Sequence, residues 1–375
     1  MNICIRTIRD GDELSRIEGN WDSLASKCSG NPFLLFGLVK NFISLGKVTG
    51  WNPMIVVISK EENLLGVLPL MMKRVYGLRF AKFVLKPSYS PDLIMCNEDR
   101  NKYASLTFDY MFNHLGCHIL SLDLEAESQD LTLLKDYSKT RGIHYSTASG
   151  MGHRVLPITS TWEEYEKSQG SNFRNKFRKI ERNLGKIGAW KVVHVVGGEI
   201  GPEILDKILE VEKESWKETW RARKGSSIDD VLVALWKGLE ETKTQSDLEW
   251  SVWFLEMNGH PIAYSLLACY AGTAYIIKTS YKARYRRFYP GIYVNHAVIR
   301  HFWNTKTLKL IDFLTDMKFM ETWTDKVLGR NVIVMSKNPL LPMIIGSFFL
   351  NDKMKGIMGA TLKKAIENVP IFAGL

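Results

Sequence analysis

Cysteine is scarce in this chain and is placed where it can do little chemistry. The five cysteines are Cys4, Cys28, Cys96, Cys117 and Cys269, and no two of them form a CxxC pair. An odd number of scattered thiols argues against a disulfide framework and against a cysteine zinc site. We therefore expect a reducing environment and predict a cytoplasmic location.

Long apolar runs are also absent. A membrane-spanning helix needs roughly 18 or more apolar residues in succession, and the longest run, at 340–350, is shorter and contains Pro342 and Gly346. We predict a buried helix there, and a peripheral membrane contact is the alternative. The first residues carry charge at Arg6, where a secretory signal has its apolar core, so no signal peptide is expected.

The sequence lacks the short motifs of several enzyme classes. It has neither the GxSxG elbow of hydrolases nor a P-loop. Only one pair of histidines stands at a spacing to consider, His296 and His301. Because residues five apart face different sides of a helix, we expect no metal site.

What the chain has in excess is positive charge. Its 375 residues carry a formal net charge of +10, and the pI is about 9.2. Such a charge favours anionic partners, which include coenzyme phosphates, nucleotide-linked sugars, nucleic acid and acidic lipid surfaces. The hydrophobic share of 45% is that of a globular protein. The length allows two domains of ordinary size.

The most informative stretch is 250–303. It predicts a strand, a turn at Asn258-Gly259, two more strands, a basic loop at 281–287 and a helix that follows Pro290-Gly291. Asn-Gly between two β-rich runs is a strong hairpin signal. The first N–H groups of a helix carry partial positive charge, so a basic loop leading to a glycine at a helix start is typical of an anion site. The pattern predicts a phosphate site at Gly291.

A second basic feature is a helix predicted over 172–187. Its apolar residues recur at spacings of three and four from Phe173 to Ile187, which predicts one buried stripe. The other faces include Arg174, Arg178 and Arg182, which we expect to bind a phosphate-bearing or carboxylated acceptor. The alternative is a solvated face, which is the usual role of a charged helix face.

The two halves of the chain resemble each other. A hairpin over 54–73, with its turn at 60–63, follows Trp51 as the later hairpin follows Trp250. We interpret the halves as diverged copies of one α/β unit that meet near 149–152. The predicted domains are 1–150 and 151–375. The first half lacks a glycine-led helix after a basic loop, so we expect no working coenzyme site there.

The order of elements in 250–303, followed by an Asp-Phe strand at 310–313, resembles the GNAT N-acyltransferase superfamily. It is closest to the tandem CelD/BcsL type of cellulose-biosynthesis acetyltransferases, with the FemAB peptidyltransferases as relatives. The resemblance implies an α/β (α+β) fold of two tandem GNAT-like domains, each a mixed, mostly antiparallel sheet flanked by helices. It also implies acetyl-CoA or another acyl-CoA as co-substrate, without a metal, its pantetheine arm lying between strands at 273–280 and 309–313.

The same resemblance implies a coenzyme site around the helix start. Its expected residues are Thr279, Ser280, Arg284, Arg286, Arg287, Gly291, Ile292 and Tyr293. The superfamily places Arg or Gln three residues before the first glycine, and this chain has Phe288 there.

The catalytic candidates rest on position alone, because the glycines and the Tyr-Lys pair that relatives carry after the Asp-Phe strand are missing. An amine must lose a proton before it attacks a thioester. The candidates for this base are Glu256, Asp312, Asp316 and Glu321, and Asp316 is the first choice, with a solvated loop acid as the alternative. Tyr281 and Tyr275 are the candidate proton donors to the leaving thiolate, and the alternative is that both are core tyrosines. Glu256 is also an expected acceptor contact.

These expectations define a function and two alternatives. The leading hypothesis is an N-acyltransferase that moves an acetyl or other acyl group from acyl-CoA to an amino sugar or other small amine, in surface-polysaccharide assembly. One alternative is FemAB-like transfer from an aminoacyl-tRNA. The other is a non-catalytic GNAT-like protein that binds nucleic acid or anionic lipid. Nucleic acid is the less favoured partner, and the sequence does not predict an oligomeric state.

Overall fold

The chain divides into two units in the computed structural model. The model describes residues 3–9, 11–48, 50–75, 77–85, 89, 92–197, 201–215, 236–238, 241 and 248–350. Unit 1 comprises Met1–Ser29, Phe33–Met151 and the segment that starts at Gly329. Unit 2 comprises Gly30–Pro32 and Gly152–Leu328.

The elements of both units are numbered in chain order. The strands are β1 (Ile3–Ile8), β2 (Asn52–Lys60), β3 (Asn63–Val75), β4 (Leu78–Phe83), β5 (Ile94–Met95), β6 (Ile119–Glu125), β7 (His144–Pro157), β8 (Trp190–Val196), β9 (Glu249–Met257), β10 (His260–Tyr270), β11 (Thr273–Tyr281), β12 (Leu310–Asp312) and β13 (Val327–Ser336). The helices are α1 (Gly11–Ser15), α2 (Glu18–Cys28), α3 (Phe36–Val48), α4 (Arg100–Asp109), α5 (Gln129–Arg141), α6 (Trp162–Ser168), α7 (Gly170–Gly185), α8 (Pro202–Lys213), α9 (Pro290–Thr305) and α10 (Leu340–Leu350). Short 3-10 turns cover Pro32–Leu34, Ala283–Phe288 and Lys318–Thr322, and a π-helical turn covers Tyr110–His114.

The sheet of unit 1 is mixed and mostly antiparallel. Its strands follow the order β1-β2-β3-β4-β6-β13, and only the β4–β6 pair is parallel. The predicted hairpin is present, with Lys60 opposite Asn63 and the turn residue Glu61 at a φ of 57°. Apolar residues of β2, β3, β4 and β6 pack with α4 and α5 to form the core.

The sheet of unit 2 follows the order β12-β11-β10-β9-β8, and the last part of β7 pairs with β12. Strands β8 to β11 form an antiparallel meander, whereas β11 and β12 are parallel. Asn258 and Gly259 make the predicted two-residue turn with φ of 50° and 82°. Positive φ at both positions is the geometry that Asn-Gly favours.

The core of unit 2 lies between this sheet and two helices. The predicted stripe of α7 is buried at Phe173, Phe177, Ile180 and Leu184. Helix α9 adds Val294, Val298, Ile299 and Phe302 to the same apolar cluster. Helices α7 and α9 therefore cover one face of the meander. This packing fixes the position of the start of α9 relative to β11.

The structure differs from the sequence analysis at the unit boundary. The second domain was expected to run to residue 375, but unit 2 ends at Leu328 and the chain from Gly329 groups with unit 1. The reason is β13, which the sequence analysis missed and which pairs with β6 from Arg330 to Met335. The expected junction at 149–152 agrees with the division between Met151 and Gly152, although β7 runs through it without a break. The sequence also predicts a helix over 202–220, whose first part is α8, and a helix over 226–239, which lies almost wholly outside the described residues.

The apolar run at 340–350 forms a helix, as predicted, but one face of its described part is exposed and not buried as expected. Leu340, Met343 and Ile344 are 55%, 58% and 42% exposed. These residues share one face because they are three and four positions apart. Among the described helices, none combines the length and the apolar character that crossing a membrane requires.

Candidate functional site

The parallel strands of unit 2 separate after a short contact. Strand β11 pairs with β12 only from Thr273 to Tyr275, and the last pair joins Tyr275 to Asp312. Strand β12 ends at Asp312, while β11 continues to Tyr281. The last residues of β11 therefore have β10 on one side and no β12 partner on the other.

Backbone hydrogen bonds hold the chain after β12 against β7. The Phe313 N–H donates to the Arg154 carbonyl at 3.0 Å, and the Arg154 N–H donates to the Thr315 carbonyl at 2.9 Å. Leu314 adopts a φ of 52°, which is uncommon for a leucine and typical of a constrained turn. The separation from β11 is thus built into the backbone bonding of unit 2.

A buried carboxylate holds this turn. Asp312 accepts from the Leu314 N–H at 2.7 Å and lies 2.8 Å from Nδ1 of His153. Asp312 and His153 are 5% and 2% exposed. No local pattern in the sequence signals a role for His153, because it lies 159 positions from Asp312.

Helix α9 begins beside the free end of β11. Its cap residue Tyr289 has a φ of 54° and makes no side-chain cap bond. Pro290 has no N–H, and the bond from the Tyr293 N–H to the Tyr289 carbonyl closes the first helical turn. The N–H groups of Gly291 and Ile292 precede that bond and have no partner in the helix. Of the three predicted backbone donors, Tyr293 is thus engaged and two remain.

Gly291 allows α9 to approach the strand closely. A Cβ at this position would lie 3.0 Å from Cδ1 of Tyr281 and 3.6 Å from Cγ2 of Thr279. The helix start therefore rests directly on the end of β11. On the same face, the Thr279 hydroxyl donates to Oδ1 of Asn295 at 3.0 Å. Ser280 is fully buried.

The basic loop between β11 and α9 is held in place by α8. The ammonium group of Lys282 is 2% exposed and lies 2.6 Å from Glu210 and 3.0 Å from Glu214. The Ala283 N–H donates to the Glu214 carbonyl. Arg284 lies 3.4 Å from the Glu214 carboxylate, while Arg286 and Arg287 are exposed. The predicted cations are therefore close to the helix start, and Arg284 already has a partner.

Among the described residues, two of the acidic candidates, Glu256 and Glu321, form ion pairs, and Asp316 does not. Glu256 is 4% exposed and is paired with Lys207 at 3.1 Å and Lys191 at 3.4 Å. Glu321 is exposed, and its carboxylate is 2.9 Å from Nη2 of Arg154. Asp316 is half-buried in the loop after β12. Within the described part of the chain its carboxylate has neither an ion pair nor a side-chain hydrogen bond.

A second carboxylate site on the sheet was not foreseen. Glu212 on α8 is 1% exposed, accepts from the Tyr264 hydroxyl at 2.5 Å and lies 3.5 Å from Nζ of Lys278. The side chains come from a helix and two strands, so the sequence places them far apart. The pair and the hydroxyl satisfy one another, as buried polar groups must.

The basic helix α7 faces both the core and solvent. Arg178 and Arg182 are exposed and Arg174 is half-buried. Lys176 is turned inwards, where its ammonium group donates to the Thr322 hydroxyl at 2.9 Å and burial lowers its pKa. Glu181 accepts from the Tyr293 hydroxyl at 2.9 Å, which ties α7 to the first turn of α9. Burial, together with Glu181, raises the pKa of Tyr293.

Across the described ranges, no three His, Cys, Asp or Glu side chains come together as metal ligands would.

Comparison with protein families identifies the site-bearing region. Residues 171–319 match the family model described as acetyltransferase (GNAT) domain. The matched region contains α7, the meander, the basic loop, α9 and β12. Unit 2 thus carries a GNAT-fold acetyltransferase domain. No curated protein matches the sequence.

Solved structures show that the likeness extends over most of the chain. FemX is 13% identical with a TM-score of 0.56, covering 90% of this chain and 99% of that one. A conserved protein of unknown function from Bacteroides thetaiotaomicron is 11% identical with a TM-score of 0.57, covering 89% and 100%. L-PGS from Bacillus licheniformis is 10% identical with a TM-score of 0.51, covering 91% and 97%. At such identities the likeness concerns the fold, and it confirms the predicted mixed α/β class.

Proposed function

We propose that unit 2 is an N-acyltransferase that uses acyl-CoA and acylates a small amine. The observation that carries the proposal is the meeting of two features: β11 parts from β12 after Tyr275, and the uncapped start of α9 lies at the free end of β11. A pantetheine arm can add to an open strand edge through its amides. A pyrophosphate is suited to the free N–H groups at a helix start. Both features are parts of one elongated ligand.

The residues at the helix start fit the phosphate end of that ligand. Gly291 and Ile292 offer N–H groups, and the exposed Arg286 and Arg287 offer guanidinium groups. Gly291 has no side chain, and this lets the ring of Tyr281 lie against the helix start. These positions would hold the pyrophosphate, with Thr279 and Ser280 on the strand beside the arm.

In the reaction the amine nitrogen bonds to the thioester carbon, and the carbon–sulfur bond breaks. Asp316 takes the proton that the amine loses, because its carboxylate has no partner among the described residues while those of Asp312, Glu256 and Glu321 are engaged. Tyr281 supplies a proton to the leaving thiolate. Its ring lies against the start of α9, and its hydroxyl makes no hydrogen bond within the described residues.

The acceptor in this proposal is an amine that also carries a negative charge. Arg178 and Arg182 form an exposed basic surface on α7, and the contact between Glu181 and Tyr293 places this helix at the first turn of α9. An amino sugar bearing a phosphate or carboxylate has the matching charge. Surface-polysaccharide assembly supplies such amines.

The coenzyme site is tested by a charge change at the helix start. In Gly291→Asp a carboxylate would repel the pyrophosphate, and we expect the affinity for acetyl-CoA to fall at least roughly 100-fold in titration calorimetry. Gly291→Asn is the matched control, because it brings the same volume against Tyr281 without the charge. Wild-type protein that releases no heat with acetyl-CoA would refute the proposal. So would equal losses in both variants, which would show that space alone matters.

The role of Asp316 as the base is tested by measuring kcat alongside the affinity for acetyl-CoA. Asp316→Asn keeps the shape and removes the proton acceptor, so we expect kcat to fall roughly 100-fold to 10,000-fold while acetyl-CoA still binds. Glu321→Gln is the matched control and should keep kcat within about twofold, since that carboxylate is exposed and paired with Arg154. An unchanged kcat in Asp316→Asn would remove Asp316 from the mechanism.

The same measurements separate the alternatives. A protein that ignores acetyl-CoA but transfers the aminoacyl group of a charged tRNA is of the FemAB-like class. One that ignores both and binds oligonucleotides or anionic vesicles, with an affinity that collapses as salt rises, is a binding protein.

A further inference from the structure

Unit 1 contains a basic cavity that has no role in the proposed acyl transfer. Its volume is about 580 Å³, and four cations line it: Arg9, Lys47, Arg74 and Arg79. The cavity lies at one end of the sheet of unit 1, where β2 begins, β3 ends and β4 begins. Every described residue that lines the cavity belongs to unit 1.

Among the residues that the structure describes, the four cations have no anionic partner. Within the described ranges, none of them forms an ion pair with a carboxylate, and all the described lining residues are either basic or uncharged. Arg79 is the one that is fixed, because its guanidinium donates to the Leu115 carbonyl. The chain has 40 acidic residues against 50 basic ones, so a fourfold cluster without any of them is not what composition alone predicts.

Two of these cations stand opposite each other in the sheet. In the antiparallel β3–β4 pair, Arg74 is the register partner of Arg79. Like charges directly opposite across strands destabilise a sheet. The arrangement therefore costs stability in the free protein, and an anion between the two guanidinium groups would offset that cost. This makes the cavity a better candidate for a site than an ordinary charged surface.

The rest of the lining is apolar. Met54, which is 1% exposed, and the half-buried Met72 lie on β2 and β3, and Leu115 lies before β6. A volume between about 300 and 1,000 Å³ is typical of small-molecule sites. A concave site with four cations and an apolar wall suits a compact molecule that joins several negative charges to an apolar group. A nucleic acid strand would need an extended groove.

We propose that this cavity binds a small organic polyphosphate, with Arg74 and Arg79 on the phosphates and the methionines against the organic group. The site is independent of the acyl-CoA site in unit 2. Its cations can bind two or more phosphate groups at once, and charge-assisted bonds to phosphate are among the stronger polar contacts in proteins.

The experiment is a calorimetric titration of the full chain with inorganic pyrophosphate and with ADP. It is carried out on Gly291→Asp protein as well as wild type, so that any phosphate binding at the start of α9 is recognised. We expect one molecule to bind per chain in Gly291→Asp protein, with any second site in wild type assigned to the start of α9, and ADP to bind at least as tightly as pyrophosphate. Arg74→Glu should weaken binding about tenfold or more, while its affinity for acetyl-CoA stays within about twofold.

Matched variants decide between a site and a general charge effect. Arg16→Glu changes the net charge equally at an exposed position of unit 1 outside the cavity, and we expect it to change affinity less than twofold. Lys47→Glu should weaken binding as Arg74→Glu does, which guards against a folding defect in one variant. Absence of binding, equal losses in Arg74→Glu and Arg16→Glu, loss only in Gly291→Asp, or binding of single-stranded oligonucleotides in place of ADP would each overturn the proposal.

Discussion

The two units differ most at the helix that joins their parallel strands. In unit 1, α4 lies between β4 and β6, and in unit 2, α9 lies between β11 and β12. Both helices follow a residue with left-handed backbone, since Asp99 has a φ of 57° and Tyr289 one of 54°. The first residues then diverge: α4 opens on Arg100, whereas α9 opens on Pro290 and Gly291.

In unit 1 the first residue of the helix is part of a buried ion pair. The guanidinium of Arg100 is 8% exposed and donates to both carboxylate oxygens of Asp130 and to the carbonyls of Leu93 and Met95. Neither α4 nor α9 has a side-chain cap at its start. The difference is therefore that α4 begins with a side chain that stabilises unit 1, whereas α9 begins with Pro290 and Gly291.

The parallel strand pairs of the two units also differ in whether the first strand continues beyond its partner. The β4–β6 and β11–β12 pairs each contain three residue pairs. Strand β4 ends at Phe83, one residue after its last pair, and the Val84 N–H already donates to the Pro69 carbonyl of β3. Strand β11 continues to Tyr281 without a β12 partner. The expectation that only the second unit binds a coenzyme remains a prediction, and these edges give it a physical reason.

The largest effect that tests this contrast is the removal of Arg100. In Arg100→Met, Asp130 is left buried without its partner, and we expect the free energy of unfolding to fall by about 3–5 kcal/mol. Urea denaturation measures this loss. The affinity for acetyl-CoA under native conditions should stay within about twofold, because the change lies in unit 1. Gly291→Asp is expected to show the opposite result: the affinity for acetyl-CoA falls, while the free energy of unfolding changes little.

A neighbouring charge provides the control for Arg100. Lys102 is on the same helix and is 3.8 Å from Asp99, with both side chains more than half exposed, so Lys102→Met should cost less than about 0.5 kcal/mol. Adding Asp130→Leu to Arg100→Met should restore part of the lost stability, since the orphaned carboxylate is then gone. If Arg100→Met is no worse than Lys102→Met, the start of α4 is not the stabilising element inferred from the contacts.

The sequence predicted the features that local patterns encode. The Asn258-Gly259 turn, the stripe of α7 and the glycine-led start of α9 each depend on residues within one or two turns of chain, and each is present. The parting of β11 and β12 was expected from the family resemblance, and the register bears it out. Such features are set by backbone preferences and periodicity, which a single sequence shows directly.

Contacts between residues that are far apart in the sequence could not be predicted from these local patterns. Asp312 meets His153 across 159 positions, and Lys282 meets Glu210 across 72. Strand β13 returns to pair with β6, which moved the boundary of unit 2 to Leu328. The exposed face of α10 was expected to be buried, because its apolar composition does not reveal which side the core occupies. These outcomes depend on which surfaces meet in the fold, and no local period records them.

The smallest predicted effect is a loss of stability of unit 2 at acid pH, which results from a buried imidazole in α9. His296 in α9 is 6% exposed and stacks on Phe177 with ring centroids 3.5 Å apart. Burial, and then the charges of Arg300 and Lys176, lower its pKa from 6.5 to about 3. The unfolded chain takes up the proton more readily than the folded one. The stabilising contribution of the neutral ring is therefore complete above pH 6.5 and is lost as pH falls towards 3.

We expect unit 2 to lose about 2 kcal/mol of stability between pH 6.5 and pH 5 from His296 alone. Urea denaturation at pH 7 and pH 5 measures it, with the fluorescence of the tryptophans near α9 as the probe of unit 2. His296→Leu should reduce the difference between the two pH values, even though the loss of the ring stack lowers stability at both. His260, which is exposed in the β9–β10 turn, gives the matched control as His260→Leu. An undiminished acid loss in His296→Leu would mean that another group makes unit 2 the acid-sensitive unit.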